Sequence, residues 1–575
     1  MVSLKRILSR PTAKPYRSRN IYHSSDRRPT LNNEGHLTWD EDDIENPQNW
    51  SIARRAYITI CAVLLVVNAT FASSSPSGCL ESISEWFDVS TEAAGLTITL
   101  FLLGYCAGPL VFAPLSEFYG RRIIFYVTFL AYIACNFLCA FAPNFGSLLV
   151  GRFLTGTFVA APLSNSPGVM ADLWRPVERA NAMAGFSLMV WAGPALGPIT
   201  SGFLQLTKGV DGWRWSFYVV LMLAGFSAVF MFTIPETYAP IILYHKAKRI
   251  RKAGIPGYED VKAPIETGNR SLTHIYKVAL TRPWIILFDP ISFLCAIYMS
   301  VLYLLLYMLF SIYPIVFQDM RGWNAGVGEL PLLGTMVGPF LGSLVIIWDS
   351  HGLKKRIQAG GTLEPEHRLR LAMSGGVGCA ASMFWFAWSA NFNYVHWIVP
   401  TLAGVFLSAS MMLIFVSFVT YLVDSYITYA ASAIAANTVV RSATASAAPL
   451  FTNQMFSALG IGGGGSLVGG VGALLAIIPF AFYKYGKQIR NKSRFAPTTD
   501  EKPAPKDEID QAEKGAVESG KDGGAMTSSI NQTATPEDGQ DAECLDENPF
   551  DYTDDPAVGH HGDCQPGEIK EHFEQ

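Results

Sequence analysis

Long apolar runs alternate with short polar loops between residues 56 and 484. A helix of roughly 20 apolar residues crosses a bilayer core about 30 Å thick, and a backbone in lipid must satisfy its hydrogen bonds within the helix. The pattern therefore predicts an all-α membrane protein with twelve transmembrane helices. We expect these spans near residues 56–76, 93–114, 123–142, 147–170, 182–204, 215–234, 289–316, 326–348, 371–390, 396–422, 431–456 and 464–484.

The longest internal loop, which carries a basic run from His245 to Lys252, divides the spans six and six. The second helix of each half contains a Gly-Pro pair, Gly108-Pro109 and Gly338-Pro339, as expected for a duplicated transporter. We therefore predict two pseudo-symmetric six-helix bundles. The predicted domains are an N-terminal tail (1–55), a first half (56–234), a central loop (235–282), a second half (283–485) and a C-terminal tail (486–575).

The two tails differ from the spans in composition. Residues 1–55 are polar and basic and lack the short apolar segment of a cleavable signal peptide. From Pro497 onward the chain is rich in Asp, Glu, Pro, Gly and Ser, so both tails are predicted to be largely disordered. Over the whole chain 50% of residues are hydrophobic and 16% are charged. A soluble protein has about 25% charged residues, so the composition argues against a soluble enzyme.

Basic residues in the loops predict the orientation of the chain. The side that holds both termini also holds Arg54, Arg121, Arg122 and the basic run of the central loop. The other side offers only Lys208, Arg214 and Arg321. Both termini are therefore expected in the cytoplasm. We call the helix ends on the opposite side the outer ends.

Cysteine and histidine patterns indicate neither metal binding nor catalysis. Most of the nine cysteines lie inside apolar runs, and the ten histidines are scattered. No spacing matches a disulfide framework or a metal site, and no constellation of His, Asp, Glu and Cys supports a membrane enzyme. We therefore predict no cofactor, no metal, no enzymatic activity and no nucleic-acid partner.

A charged motif, Pro114-Leu-Ser-Glu-Phe-Tyr-Gly-Arg-Arg122, occupies the short loop between spans 2 and 3. Gly120 can adopt the positive φ of a tight turn, and Glu117 lies close in sequence to Arg121 and Arg122. Positive-inside topology alone would require only the arginines. We interpret Glu117, Gly120, Arg121 and Arg122 as a cytoplasmic gate, in which a partly buried charge cluster closes one side of the protein.

Charged residues inside the spans are candidates for coupling or substrate binding. A charge at the bilayer centre costs about 2.5–3.5 kcal/mol on insertion scales, so Arg152 in span 4 is a functional candidate; alternatively, carbonyls near the outer edge satisfy it. Arg441 in span 11 shares a helix face with Asn437, unless the span begins later and Arg441 lies nearer the cytoplasm.

Glu329, at the outer start of span 8, is the best candidate for a proton-carrying carboxylate. The scarcity of acids favours neutral or amphipathic substrates over polyamines.

A substrate site is expected near the midplane between the halves. Aromatic walls would suit flat apolar compounds, and also cations through cation–π attraction. For each aromatic residue, helix packing or lipid contact is the alternative. The candidate pocket residues are Phe101, Tyr105, Trp191, Tyr303, Tyr307, Phe415, Asn437 and Arg441.

Span 5 is rich in small and helix-bending residues. It contains Gly193-Pro194-Ala-Leu-Gly197-Pro198, followed by Gly202. The prolines remove backbone donors and favour a kink, and the glycines permit close helix approach. A packing face without directional meaning is one interpretation of this pattern.

Several segments between residues 45 and 497 resemble the major facilitator superfamily, in its twelve-span branch of fungal drug:proton antiporters, and within it the polyamine and multidrug exporters. The loop from Pro114 to Arg122 carries the family's pattern, with departures at Ala113, Glu117 and Phe118. The other matching segments are Glu45–Trp50, Trp213–Tyr218, Pro235–Pro240, Tyr429–Asn437 with Arg441-Ser442, Tyr483–Lys487 and Arg494–Pro497.

The resemblance implies the major facilitator fold and a monomeric carrier in contact with membrane lipids. It also implies that Arg152 takes part in proton coupling. The glycines and prolines of span 5 match a motif associated with antiporters, which implies export rather than uptake. That motif comprises Gly193, Pro194, Gly197, Pro198 and Gly202.

The hypothesis that joins these observations is proton-driven export of a small organic drug, toxin or secondary metabolite by alternating access. We expect the chain in the plasma membrane, with the vacuolar membrane as the alternative. A polyamine exporter and a proton-coupled nutrient permease are the competing transport hypotheses. A membrane receptor or scaffold is the hypothesis outside transport.

Overall fold

The computed structural model describes residues 29–493, except 33–34, 41, 255–256, 268–271, 359–363 and 427–428. The predicted C-terminal tail beyond Ser493 and the first 28 residues lie outside the described residues. All described residues belong to one structural unit. Their regular structure is helical apart from two isolated β-bridges, Leu31 with Leu37 and His36 with Lys262.

The first half forms spans 1 to 6. A short helix, Leu80–Phe87, follows span 1 at its outer end and is joined to it by a 3₁₀ turn, Ser75–Cys79. The six spans are Ile52–Ser74, Thr91–Tyr119, Arg121–Ala140, Phe145–Leu173, Pro176–Lys208 and Gly212–Met231.

The second half forms spans 7 to 12 after a central loop with helices at Ala239–Ala253, Pro264–Thr267 and Leu272–Leu287. Span 8 begins with a short helix, Ala325–Glu329, and span 11 continues across a break at Ala447. The helices of this half are Pro290–Pro314 with a π-helical turn Ile315–Asp319, Ala325–Glu329 with Leu333–Gln358, Leu369–Ala390, Ile398–Tyr426, Ala430–Ser446, Ala448–Leu475 and Ile477–Lys492.

Ten stretches of the described residues are long and apolar enough to cross a membrane. Two of them contain a turn and supply parts of two spans. Gly185–Met231 turns at Gly209–Asp211, between spans 5 and 6. Ala448–Asn491 breaks at Gly460, where φ is 69°, so its first part completes span 11 and the rest forms span 12. The predicted twelve-helix membrane architecture is therefore confirmed.

Local sequence explains where the helices end. The Ser90 side chain accepts a hydrogen bond from the backbone N–H of Ala93 and caps span 2. Asn144 and Ser147 form a reciprocal capping box at the start of span 4. Gly120, at φ 98°, ends span 2 in a conformation that residues with a side chain rarely adopt. The helices therefore continue past the apolar runs until a polar cap or a glycine stops them.

Part of the N-terminal region predicted as a disordered tail is ordered and packs on the central loop. Asp43 forms an ion pair with Lys246, and both side chains are largely buried. Glu45 pairs with Arg249 at 2.6 Å. Leu37 is fully buried in a small apolar cluster formed with the helix Ala239–Ala253 and the segment after it. The other buried members of this cluster are Leu243, Ala247, Ile250, Val261 and Ala263.

Candidate functional site

An aromatic layer joins the two halves near the middle of their spans. The Trp191 ring of span 5 lies edge-on to the Phe415 ring of span 10, with centroids 6.1 Å apart. The Arg441 guanidinium of span 11 lies 5.0 Å from the Phe415 ring and 5.0 Å from the Tyr303 ring of span 7. Four predicted pocket residues therefore meet at one place. We call Trp191, Tyr303, Phe415 and Arg441 the central layer.

Direct contacts hold the halves together on the outer side of the central layer. The Tyr307 ring packs on Tyr303, with centroids 5.3 Å apart, and its hydroxyl donates to Ser73 Oγ of span 1 at 2.9 Å. Thr99 Oγ1 of span 2 donates to the carbonyl of Ser446 in span 11 at 2.7 Å. These contacts close the outer side of the central layer in this conformation.

The other predicted pocket residues occupy different positions. Phe101 is fully buried in the first half, with its ring 4.2 Å from the Arg152 guanidinium. Tyr105 is also buried there and donates to the carbonyl of Ala69 at 2.7 Å. Asn437 lies one turn before Arg441, and its Oδ1 has no hydrogen-bond partner among the described residues. Phe101 and Tyr105 are thus packing residues of the first half in this conformation.

Arg152 is fully buried and is bound by backbone carbonyls. Its Nε donates to the carbonyl of Thr97 at 2.8 Å, and its Nη atoms donate to those of Ala72 at 3.0 Å and Ser73 at 3.4 Å. The Ala72 carbonyl lacks its usual helical donor, because Pro76, four residues later, has no N–H. Backbone carbonyls therefore do bind this guanidinium, as the alternative interpretation of Arg152 expected. The role of Arg152 in proton coupling stays a prediction.

Glu329 is fully buried at the outer start of span 8, facing span 5. Its Oε1 accepts a hydrogen bond from Gln318 Nε2 at 3.1 Å, and its Oε2 has no partner among the described residues. A Cβ built at Gly202 would lie 2.9 Å from the Glu329 side chain and 2.5 Å from the Ala325 carbonyl. The absence of a side chain at Gly202 therefore lets the carboxylate approach the first half.

The small residues of span 5 lie directly against span 1. A Cβ at Gly193 would collide with the Thr70 side chain, and one at Gly197 would collide with Ser74. Ser74 Oγ donates to the carbonyl of Pro194 at 2.8 Å. That carbonyl lacks a helical donor because Pro198 has no N–H. Among the five predicted motif residues, Gly193, Pro194 and Gly197 thus contact span 1, and Gly202 contacts span 8. Pro198 leaves the Pro194 carbonyl free for Ser74.

We expect Gly197→Ala to destabilise the protein. The added Cβ would meet two backbone atoms, the carbonyl of Phe71 in span 1 at 2.8 Å and the nitrogen of Ser75 just after span 1 at 2.9 Å. Overpacking of this kind costs about 1–3 kcal/mol, so the melting temperature of the purified protein should fall. Gly185→Ala in the same helix is the matched control, because a Cβ there meets nothing within 4 Å. Equal melting temperatures for the two variants would contradict the expectation.

The gate motif is held by residues that lie far away in sequence. Gly120 has positive φ, as predicted. Arg121 donates from Nη1 to Ser116 Oγ at 2.9 Å and from Nε to Asp172 of span 4 at 3.4 Å. Glu117 is exposed and makes no ion pair among the described residues. The acid paired with Arg121 is therefore Asp172, which the sequence pattern did not single out.

A second acid, Glu236 in the segment that follows span 6, binds the turn between spans 2 and 3. Its carboxylate accepts the backbone N–H groups of Arg121 at 3.0 Å and Arg122 at 3.2 Å. It also accepts those of Thr237 at 3.0 Å and Tyr238 at 2.9 Å. Burial raises the pKa of Glu236, and these N–H donors act against that rise. The sequence analysis includes Glu236 only within the Pro235–Pro240 segment that resembles the family, and it does not predict this contact.

We expect Glu236→Ala to weaken the end of the first half that carries the gate motif. Four backbone N–H groups would lose their acceptor, and hydrogen bonds to a charged group are worth about 1.5–3 kcal/mol each, although they do not add. The melting temperature should fall by several degrees. Glu117→Ala removes a nearby exposed carboxylate and should leave the melting temperature within one degree of wild type. A similar loss in both variants would assign the stability to general charge effects.

The described residues offer little reactive chemistry. No group of three or more His, Cys, Asp or Glu side chains among them could hold a metal ion. The predicted absence of a cofactor stays a prediction.

Comparison with known protein families matches residues 60–449 to the model of the Major Facilitator Superfamily. Among solved structures, the proton:xylose symporter XylE bound to 6-bromo-6-deoxy-D-glucose superposes with a TM-score of 0.55. The superposition covers 76% of this chain and 97% of XylE at 17% sequence identity. This likeness concerns the fold alone.

Curated relatives in fungi are much closer in sequence. The Major facilitator superfamily multidrug transporter mdrA of Aspergillus fumigatus is 40% identical over 474 residues, which cover 81% of this chain and 76% of the relative. Efflux pump FUB11 of Gibberella moniliformis is 41% identical over 463 residues, covering 79% and 76%. MFS-type efflux pump MFS2 of Trichophyton rubrum is 38% identical over 470 residues, covering 81% and 78%.

Proposed function

Because this chain belongs to the major facilitator superfamily, we propose that it exports small organic compounds by proton-coupled alternating access. The compounds are drugs, toxins or secondary metabolites, in keeping with the names of the fungal relatives. The carrier works as a monomer in the plasma membrane, with both termini in the cytoplasm. Apolar side chains such as Phe288, Trp348 and Leu474 contact the lipid.

The observation that carries the proposal is the central layer, which takes walls from both halves. A site at that position can be exposed to either side when the halves rock against each other. The contacts of Ser73 and Thr99 with the second half close its outer side. Such an outer closure is what a carrier needs when it loads substrate from the cytoplasm.

Coupling requires that protons and substrate favour different states of the carrier. Glu329 lies between the halves in the closed outer side, so its protonation would stabilise that closure. Arg152 of span 4 binds carbonyls of spans 1 and 2 and so joins the three spans. Arg121, with Asp172 and Glu236, holds the cytoplasmic gate of the first half.

Two competing transport functions receive less support. A polyamine pocket requires carboxylates, whereas the charged residue of the central layer is the cation of Arg441. A nutrient uptake permease has no specific observation in its favour. The closer relatives with functional names are called efflux pumps or multidrug transporters.

Everted membrane vesicles from cells that overproduce the full chain test the proposal. Vesicles made acidic inside are offered a panel of labelled aromatic compounds that are neutral, anionic or cationic. We expect at least one compound to accumulate inside, and a protonophore to collapse this accumulation. Vesicles without the chain correct for passive trapping of weak bases. If no compound accumulates above that control, the export proposal is wrong.

A further inference from the structure

Arg441 is a cation of the central layer, and among the described residues its guanidinium has aromatic neighbours but no acid. Its guanidinium lies over the rings of Tyr303 and Phe415, each at 5.0 Å. Its Nε is covered and has no hydrogen-bond partner among the described residues, and no ion pair of Arg441 occurs there. Asn437, one turn earlier on the same helix face, likewise has an unpartnered Oδ1.

Arg152 shows how this fold satisfies an arginine that serves structure. There, three backbone carbonyls receive the guanidinium donors, and the side chain is fully buried. Arg441 has aromatic faces in place of these acceptors and stays partly exposed between the halves. Cation–π contacts offset only part of the cost of holding a charge at this depth. An anionic ligand would supply both the missing charge and the missing acceptors.

We propose that Arg441 makes the central layer selective for amphipathic organic anions, namely aromatic compounds that carry one carboxylate or a similar oxyanion. The oxyanion pairs with the guanidinium of Arg441. The aromatic part packs against Trp191 and Phe415, which approach each other from opposite halves. This inference rests on the proposed function, because it takes the central layer to be the transport site.

Arg214 is the control for Arg441, because it is also an arginine stacked on aromatic rings but lies outside the central layer. It stacks on Trp86 at 4.1 Å and Trp213 at 5.2 Å, and its Nε also lacks a partner among the described residues. It lies at the start of span 6, at the outer end, and stacks on none of the residues of the central layer. Replacing Arg214 therefore removes a stacked arginine without touching the central layer.

Equilibrium binding to the purified full-length protein tests the assignment with a matched pair of probes. 1-Naphthoate is ionised at neutral pH, and 1-naphthamide has nearly the same shape without the charge. We expect wild type and Arg214→Gln to bind 1-naphthoate at least tenfold more tightly than 1-naphthamide, since a charge-assisted hydrogen bond is worth about one or two powers of ten in affinity. Arg441→Gln should bind the two probes within twofold of each other.

Three further measurements separate the anion site from a purely structural role. Arg441→Lys keeps the charge and should retain part of the preference, although it loses the bidentate geometry. Affinity for 1-naphthamide should change less than threefold in Arg441→Gln, whereas a collapse of helix packing would weaken both probes together. The melting temperature of each variant reports whether the fold is intact.

The inference is overturned if wild type binds the two probes equally, if it binds neither, or if Arg441→Gln keeps the preference for 1-naphthoate. These outcomes are distinct from failure of the export proposal. Everted vesicles without proton-driven accumulation, combined with an Arg441-dependent preference in binding, would remove export and leave the anion site. Proton-driven export without a preference for 1-naphthoate would remove the anion site and leave the export proposal.

Discussion

Replacing Arg152 by methionine is expected to reduce transport by more than tenfold and to lower the melting temperature of the protein. The guanidinium is the shared partner of carbonyls in span 1 and span 2, at Ala72, Ser73 and Thr97. Methionine fills a similar volume but donates no hydrogen bond. Each buried carbonyl left without a donor costs about 1–3 kcal/mol, and the Ala72 carbonyl has no helical donor in reserve because of Pro76.

The lysine variant distinguishes geometry from charge. A single ammonium group cannot reach three carbonyls in the arrangement that the planar guanidinium does. Arg152→Lys should therefore recover part of the stability and less of the transport rate. Flux into everted vesicles and the melting temperature are measured on the same preparations. Arg214→Met is the control, because it removes a stacked arginine from the outer end of span 6.

Unchanged flux and an unchanged melting temperature in Arg152→Met would contradict this account of span 4. A loss of melting temperature alone would assign Arg152 to structure and leave coupling to other residues. A loss of flux alone, with the fold intact, would support the coupling role that the family resemblance implies. The three outcomes thus separate the two interpretations that the sequence left open.

The apolar pattern predicts the spans well because lipid leaves a long helix little alternative. Span 2 was predicted at 93–114 and is observed at Thr91–Tyr119. The difference lies in the caps, since Ser90 and Gly120 set the ends and hydropathy does not register them. Spans 11 and 12 were separated correctly, even though Gly460 interrupts an apolar stretch of 44 residues.

The partners of charged residues were much harder to predict. Glu117 was assigned to the gate because it lies four residues from Arg121. The acids that contact Arg121 are Asp172 and Glu236, which are distant in sequence. Nothing in the local pattern ranks one acidic residue above another, because the pairing depends on how spans 2, 4 and 6 pack. Long-range packing is the information that a single sequence carries least directly.

The prediction of the pocket residues was also limited because a single sequence says little about how the helices pack. Aromatic content and helix depth selected Trp191, Tyr303 and Phe415, which do meet in the central layer. They also selected Phe101 and Tyr105, which pack inside the first half. The rotation of span 2 about its axis decides that outcome, and an almost uniformly apolar helix gives little sequence signal of its rotation.

Glu329→Gln is expected to abolish proton-driven accumulation while substrate exchange continues. Glutamine copies the shape of the protonated acid but cannot release a proton. Glu329 is fully buried, with one hydrogen bond from Gln318 and no cationic partner among the described residues. Burying an ionised carboxylate without a partner costs several kcal/mol. The closed outer side should therefore form only after this residue has taken up a proton.

This order of events links Glu329 to the small residues around it. The carboxylate sits where Gly202 of span 5 meets Ala325 of span 8, so opening of the outer side would separate the two surfaces and admit water. A proton taken up in the open state would be carried to the cytoplasmic side as the outer side closes. Because glutamine is always neutral, the Glu329→Gln variant could close its outer side without taking up a proton.

Everted vesicles with an acidic interior measure proton-driven accumulation of substrate against its gradient. Counterflow of labelled against unlabelled substrate measures exchange without net proton movement. In Glu329→Gln, accumulation should fall more than tenfold and lose its dependence on pH, while counterflow stays within about threefold of wild type. Glu329→Asp retains a carboxylate and should keep the pH dependence at a reduced rate. Glu92→Gln neutralises an exposed acid at the outer start of span 2 and should behave as wild type. Wild-type accumulation by Glu329→Gln at every pH tested would exclude Glu329 as the proton carrier.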